Sequence, residues 1–274
     1  MVMAVARKVL WHALMLLWSA AVCLIAGLIL FAFSCFVESH RAHAGTIKVA
    51  VIDTGFDLGD PRFQGHLCQD GHHDFTQRGL GDVSGHGTHV AGLIAANAGK
   101  ADYCLMVLKY YDAEAPGKVN AGNETEAFRW AADHGADIVN LSGGGPALIE
   151  SEYLVIKGHP EMTFIVAAGN EHADVTEPGG GYYPAAIPLP NVIVIGNGTS
   201  ARERCESSNF GKRVDYWIDG RDVDSTLPGG KRGRMTGTSM STAIWTGRFV
   251  SRLAGARRAG TASESAGSPN TRAR

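Results

Sequence analysis

Residues 46–55 read TIKVAVIDTG, and this stretch gives the strongest indication of the fold class. Its part from Thr46 to Ile52 is short, apolar and rich in β-branched residues, which is typical of a strand buried on both faces. Similar apolar runs recur further along the chain, at 105–108, 138–141, 164–167 and 192–195. Helical patterns occupy 86–98, 123–134 and 240–253. This alternation predicts an α/β fold of three layers, with a mostly parallel sheet between helices on both faces.

Polar residues stand where three of the predicted strands end. They are Asp53, Ser142 and Asn170. Active sites of such sheets gather at the carboxyl ends of the strands. We therefore expect these three side chains along one edge of the sheet.

Three short motifs together indicate nucleophilic catalysis. They are VIDTG at 51–55, GHGTHVAG at 85–92 and GTSMS at 237–241. Asp53 can accept the N–H of an imidazole, His86 can act as a base, and Ser239 follows a Gly-rich turn into a helix. Each motif alone has an ordinary interpretation, namely a turn aspartate, a surface histidine and a helix-capping serine. Their combination is what favours a catalytic site.

In this order, Asp53, His86 and Ser239 resemble the catalytic residues of the subtilisin-like serine peptidases, the subtilase family. Further segments are similar to landmarks of that family, in the same order: VNLSGGG at 139–145, AAGN at 167–170, YPA at 183–185 and SNFG at 208–211. The resemblance covers about residues 46–253.

The resemblance implies an endopeptidase acting on polypeptides. Ser239 would be the nucleophile, His86 the general base and Asp53 its orienting group, with Asn170 as donor to the oxyanion. The substrate-binding residues would be Ser142, Gly143, Gly144, Ala168 and Gly169. The chemistry would need no cofactor and no catalytic metal. Calcium commonly stabilises this family, but the aspartates at 57–74 form no recognisable oxygen-ligand loop.

Three features depart from the family pattern. Ala243 stands where a proline usually follows the serine motif, and Ile218-Asp219-Gly220 stands where Ala-Pro-Gly is common. Only 44 residues precede the predicted core, so we expect folding without the usual pro-domain or with help from another chain.

Residues 1–44 are predicted to be a signal peptide or an N-terminal membrane anchor. The stretch 9–37 contains no Asp, Glu, Lys or Arg, and about 20 such residues already span a bilayer. Arg7 and Lys8 favour a cytoplasmic N-terminus. Ala42-His43-Ala44 fits a cleavage site, whereas the length of the apolar stretch fits an anchor. A buried core helix is a third interpretation. Both leading predictions export the rest of the chain, as a released or a membrane-anchored protein.

Composition limits the remaining possibilities. The 25 Lys and Arg nearly balance the 27 Asp and Glu, which argues against a polybasic nucleic-acid binder. We predict three regions: a leader at 1–44, a peptidase domain at 45–254 and a disordered tail at 255–274 that is rich in small polar residues.

Three cysteines lie outside the predicted leader, namely Cys68, Cys104 and Cys205. Because three is an odd number, at least one of them is unpaired within this set. A Cys68–Cys104 bridge is one option, but spacing cannot choose the pair.

Other function classes explain less of the sequence. An aspartic peptidase needs two carboxylates sharing a proton, and no second DTG occurs. His86 and His89 could bind a metal, with His66, His72 and His73 nearby in sequence, but no recognised ligand spacing is present. The main alternative to an active peptidase is a different class of function, a catalytically weak, subtilase-like peptide-binding or scaffold protein.

Overall fold

The computed structural model describes residues 45–177 and 181–266. The chain divides into two units, 1–44 and 45–274, and all described residues belong to the second. The predicted leader, including 9–37 and the cleavage site, lies outside the described residues. Among those that are described, no helix has the length and apolar composition needed to cross a bilayer.

A seven-stranded, fully parallel sheet forms the middle of the described domain. Its strands in chain order are β1 (Ile47–Asp53), β2 (His73–Asp74), β3 (Tyr103–Lys109), β4 (Ile138–Leu141), β5 (Thr163–Ala167), β6 (Val192–Asn197) and β7 (Tyr216–Ile218). Their spatial order is β2-β3-β1-β4-β5-β6-β7. The predicted apolar runs are therefore confirmed as strands, with β1 near the middle of the sheet.

Four helices and a hairpin complete the described domain. The helices are α1 (His86–Ala98), α2 (Gly117–Asp133), α3 (Glu150–Gly158) and α4 (Thr238–Ala266). The hairpin pairs β8 (Val223–Leu227) with β9 (Lys231–Met235) in antiparallel register. A short 3-10 turn, Pro61–Phe63, precedes β2.

Alternate residues of β1 face two separate hydrophobic layers. Val49 and Val51 pack with residues of α1 and α4, whereas Ala50 and Ile52 pack with residues of α2 and α3. Because both faces are covered, β1 reads as a continuous apolar run rather than an alternating one. The predicted three-layer α/β architecture is confirmed.

Helix α4 extends beyond the boundary that composition suggested. The predicted helix ends at Leu253, whereas α4 continues to Ala266, into the segment 255–274 for which composition predicted a disordered tail. Arg257 in this extension donates to Asp137 Oδ1 at 2.5 Å and to the Gly45 carbonyl at 3.2 Å. These contacts hold a segment whose small polar side chains gave no helical pattern.

Cys68 and Cys104 form a disulfide, and Cys205 is a free thiol. The bridge joins the segment before β2 to strand β3. It resolves the pairing that spacing alone left open.

Candidate active site

Asp53 and His86 meet at the carboxyl edge of the sheet. Asp53 is the last residue of β1 and His86 is the first residue of α1. The imidazole Nδ1 lies 2.7 Å from Asp53 Oδ1, which also accepts the Thr54 backbone N–H at 2.8 Å. Asp53 is only 3% exposed. The carboxylate therefore orients the ring and leaves Nε2 for another partner.

The turn into α1 explains the glycines on either side of His86. Gly85 has a φ of 84°, a left-handed conformation that glycine adopts without steric cost. A Cβ at position 87 would lie 2.1 Å from the Gly55 carbonyl oxygen. Any side chain following His86 would therefore push the ring away from Asp53.

Asp82 fixes the same turn, and the sequence prediction missed it. Its Oδ1 accepts the Thr54 hydroxyl at 2.9 Å and the Gly85 N–H at 2.8 Å. Its Oδ2 accepts both the N–H and the hydroxyl of Thr88, at 2.8 and 2.7 Å. An acidic residue just before a predicted helix start was the available signal, since carboxylates favour helix N-termini.

The pKa of His86 is raised above its ordinary value. The charge of Asp53 is the largest cause, burial opposes it, and the hydrogen bond to Asp53 and the charge of Asp82 add to the rise. Both carboxylates favour the imidazolium that a general base forms when it takes a proton.

Ser239 stands at the start of α4, at the same edge of the sheet. It is the second residue of that helix, and its N–H is one of the first few that have no intrahelical acceptor. Its hydroxyl donates to the Ser142 carbonyl at 3.2 Å, and the Ser142 hydroxyl donates to the Ser239 carbonyl at 3.3 Å. Within the described part of the chain, Ser239 and His86 share no hydrogen bond.

The Asn170 side chain is oriented by the residue preceding Ser239. Its Oδ1 accepts the Thr238 N–H at 3.0 Å and the Thr238 hydroxyl at 3.2 Å. With the oxygen so engaged, the Nδ2 amide group is directed elsewhere, and the residue is exposed. The Asn170 side chain therefore lies beside Gly237 and Thr238, at the start of α4.

Asn209, in the SNFG segment, holds the loop that carries Asn170. Its side chain accepts the N–H groups of Glu171 and Ala173 at 3.0 and 2.9 Å and donates to the Ala168 carbonyl at 2.8 Å. It is 1% exposed. The motif was recognised in the sequence, but this positioning role was not predicted.

Of the predicted substrate-binding residues, Ala168 and Gly169 are buried, whereas Ser142, Gly143 and Gly144 are half-buried or exposed. The Ala168 side chain is fully buried in the layer under α2 and α3. Its neighbour Gly169 accepts the Asn209 N–H at 3.0 Å, and so belongs to the same clamped loop.

Ser142, Gly143 and Gly144 follow directly after β4. The following Gly145 exchanges two backbone hydrogen bonds with Tyr183, of 2.9 and 2.8 Å. A Cβ at position 143 would lie 2.2 Å from the Tyr110 hydroxyl. The segment therefore has one side closed by tyrosines, and only glycine fits at its centre.

The histidines considered for a metal site have other partners. His89 Nε2 lies 3.0 Å from the Val223 carbonyl and 3.2 Å from that of Gly233. His72 bonds to the Cys68 carbonyl and to the Val107 N–H. Among residues 45–177 and 181–266, no group of three or more His, Cys, Asp or Glu is arranged to hold a metal ion.

Comparison with known proteins gives consistent matches to one family. The subtilase family of peptidases matches residues 44–261. The major intracellular serine protease of Bacillus subtilis (strain 168) is 35% identical over 214 residues, which are 71% of this chain and 64% of that protein. Subtilisin of Bacillus pumilus is 33% identical over 218 residues, or 75% and 76% of the two chains.

Solved structures give the same result for the fold. A cold-adapted subtilisin-like serine proteinase superposes with a TM-score of 0.64 and 27% identity, covering 76% of each chain. A lanthipeptide protease superposes with a TM-score of 0.67 at 20% identity, covering 82% of this chain and 78% of the other, and that likeness concerns the fold alone. The chain spans about two thirds of the length of the Bacillus subtilis relative.

Proposed function

Because the chain belongs to the subtilase family, we propose that it is an exported serine endopeptidase that hydrolyses polypeptides through Asp53, His86 and Ser239. The observation that carries the proposal is the 2.7 Å contact between the buried Asp53 and His86, at the sheet edge where Ser239 and Asn170 also lie. Its geometry suits a base that is oriented on one side and open on the other.

The proposed reaction begins with attack of Ser239 Oγ on a peptide carbonyl carbon. His86 Nε2 takes the hydroxyl proton as the bond forms and later gives it to the leaving amine. Asp53 holds the ring in the required tautomer and stabilises the imidazolium. The developing oxyanion accepts hydrogen bonds from Asn170 Nδ2 and the Ser239 N–H. Water, activated by His86, then hydrolyses the acyl-enzyme.

The Ser239 hydroxyl must first change its partner. Its 3.2 Å bond to the Ser142 carbonyl is a long one for two oxygens, and rotation about the Cα–Cβ bond breaks it. Catalytic hydrogen bonds are often unformed until substrate is bound. We propose that substrate backbone lying along Ser142–Gly144 promotes this rotation.

The disulfide supports export. Bridges such as Cys68–Cys104 persist in oxidising compartments and are rare in the cytosol of most organisms. Sequencing the N-terminus of the protein recovered from its host tests the leader: Gly45 indicates a released enzyme, and Met1 indicates a retained anchor. Recovery of the chain from the cytosol with reduced cysteines would contradict export.

One observation favours a second candidate, a subtilase-like peptide-binding protein without turnover. In the structure, the Ser239 hydroxyl donates a hydrogen bond to the Ser142 carbonyl and none to His86. A phosphonate probe for activated serines distinguishes the two on the full-length chain. We expect labelling of the wild type and none of Ser239→Ala or of heat-denatured protein. Equal labelling of all three, or of none, would contradict the peptidase.

A further inference from the structure

A cavity of about 810 Å³ opens beside the segment Ser142–Gly144. Gly144 and Gly145 form part of its wall, and residues of α2 and α3 contribute to it together with Tyr110, Tyr111 and Tyr183. A polypeptide that forms backbone hydrogen bonds with Ser142–Gly144 would run across the opening of this cavity. The cavity is therefore placed to receive a side chain of the substrate.

Two glutamates are among the residues that line this cavity. Glu124 projects from α2 and Glu152 from α3, and the two residues are only 6% and 2% exposed. Within the described part of the chain, neither forms a salt bridge with a lysine or arginine. Lys118 also lines the cavity but is solvent-exposed.

Glu152 has an unused acceptor. Its Oε1 is buried and has no hydrogen-bond partner among the described residues. A buried carboxyl oxygen without a partner costs free energy, and natural proteins rarely keep one unless a ligand, ion or water completes it. This is an observation independent of the acidic composition.

The raised pKa values of Glu124 and Glu152 are those expected of buried carboxyls without a cationic partner. Burial raises the pKa of Glu152 to about 7. Burial and the nearby Glu152 raise the pKa of Glu124 well above its usual range, against a smaller opposing effect of the Tyr110 hydroxyl. A positive group inside the cavity would favour the ionised form of both carboxyls.

We propose that this cavity is a substrate subsite that accepts a lysine or arginine side chain, whose charged end is bound by Glu124 and Glu152. The apolar stem of such a side chain would lie along the tyrosine rings and the neighbouring aliphatic residues of the wall. The proposal rests on the proposed endopeptidase function and adds to it a preference for basic polypeptides.

The test uses internally quenched peptides that differ at one position on the amino side of the cleaved bond. The varied position carries lysine, arginine, norleucine or glutamate. Successive sets of peptides place this position one residue further from the cleaved bond. For the full-length wild type, we expect one position where lysine or arginine raises kcat/KM over norleucine by about tenfold or more, with glutamate the poorest. Equal kcat/KM values at every position would overturn the subsite.

Glu152→Gln and Glu124→Gln should lower the ratio of kcat/KM for the lysine peptide to that for the norleucine peptide toward one. Glu150→Gln is the matched control, because Glu150 is exposed on the same helix and does not line the cavity. A preference that survives in both cavity variants would assign the carboxyls a purely structural role and overturn the proposal. If these variants fail to fold, the wild-type peptide series still decides.

Binding to Ser239→Ala separates this proposal from the peptidase assignment. The lysine peptide should bind that chain about tenfold tighter than the norleucine peptide, and Glu152→Gln in the same background should abolish the difference. Selective binding without any wild-type hydrolysis would retain the subsite and contradict the endopeptidase. Hydrolysis by the wild type, with equal binding of the lysine and norleucine peptides to Ser239→Ala, would support the endopeptidase and contradict the subsite.

Discussion

Asp53 and Asp82 act on His86 in the same electrostatic direction but through different contacts. Asp53 touches the ring directly, whereas Asp82 holds the turn that carries it. Their combined effect raises the pKa of the imidazole. At the level of the residue, the two carboxylates therefore stabilise the cationic form of the His86 ring, as the proposed role of a general base requires.

In the proposed mechanism, the raised pKa of His86 should set the acid limit of activity. Because the neutral ring is the base, activity should be present above the folded-state pKa and fall as pH drops through it, at a midpoint above the ordinary value of about 6.5. The same shift contributes folding stability below the unfolded-state pKa, and that contribution is lost as pH rises through the folded-state value.

NMR titration of the His86 ring checks this without requiring turnover. The pKa should decrease in the order wild type, Asp82→Asn, Asp53→Asn. An unchanged pKa in Asp53→Asn, or activity that is flat down to pH 5, would contradict the role of His86.

Asn170→Ala should lower kcat by about 10²–10³ with little change in KM, a magnitude already established for the oxyanion donor of a subtilisin. Thr238→Val is the comparison, because it removes one of the two hydrogen bonds that orient Asn170 Oδ1 and retains the backbone one. We expect a much smaller loss of kcat there. A larger effect on KM than on kcat would indicate that Asn170 binds substrate without stabilising charge.

At the level of elements, five strands and three helices followed from the sequence pattern, whereas β2, β7, the hairpin, α3 and the links between distant segments did not. The apolar runs at 46–52 and 138–141 predicted buried strands, since burial on both faces requires such composition. The hydrogen bonds of Asn209 to Glu171 and Ala173 span 38 and 36 residues, which no local pattern encodes. Similarly, Glu124 and Glu152 lie on helices where glutamate is usually solvated, and only packing reveals their burial.

The extension of α4 is an element whose contribution can be measured. Removing residues 255–274 should lower the free energy of unfolding by about 2–3 kcal/mol, because Asp137 loses its buried ion pair with Arg257. Arg257→Ala should reproduce most of this loss in denaturant unfolding. Removing residues 267–274 alone leaves the described helix intact and should change stability by less than about 0.5 kcal/mol. Equal effects of the two truncations would contradict the anchoring role of Arg257.

For the whole molecule, the disulfide joins parts of the chain that are separated by 36 residues. Closing a loop of this length should stabilise the fold by about 3–4 kcal/mol, chiefly by restricting the unfolded chain. We expect Cys68→Ser combined with Cys104→Ser to lose that amount in denaturant unfolding, whereas Cys205→Ser should lose little. The reverse ranking would show that Cys205 is the structurally important thiol.

At one edge of its sheet, the domain brings together an imidazole oriented by a buried carboxylate and a serine at a helix start. Hydrolysis of an unfolded protein such as reduced casein, by the full-length wild type beside Ser239→Ala, tests its proposed endopeptidase function most directly. We expect new peptide fragments with the wild type and only background with Ser239→Ala, at matched stability of the two proteins. Equal fragment yields from both would contradict Ser239 as the nucleophile.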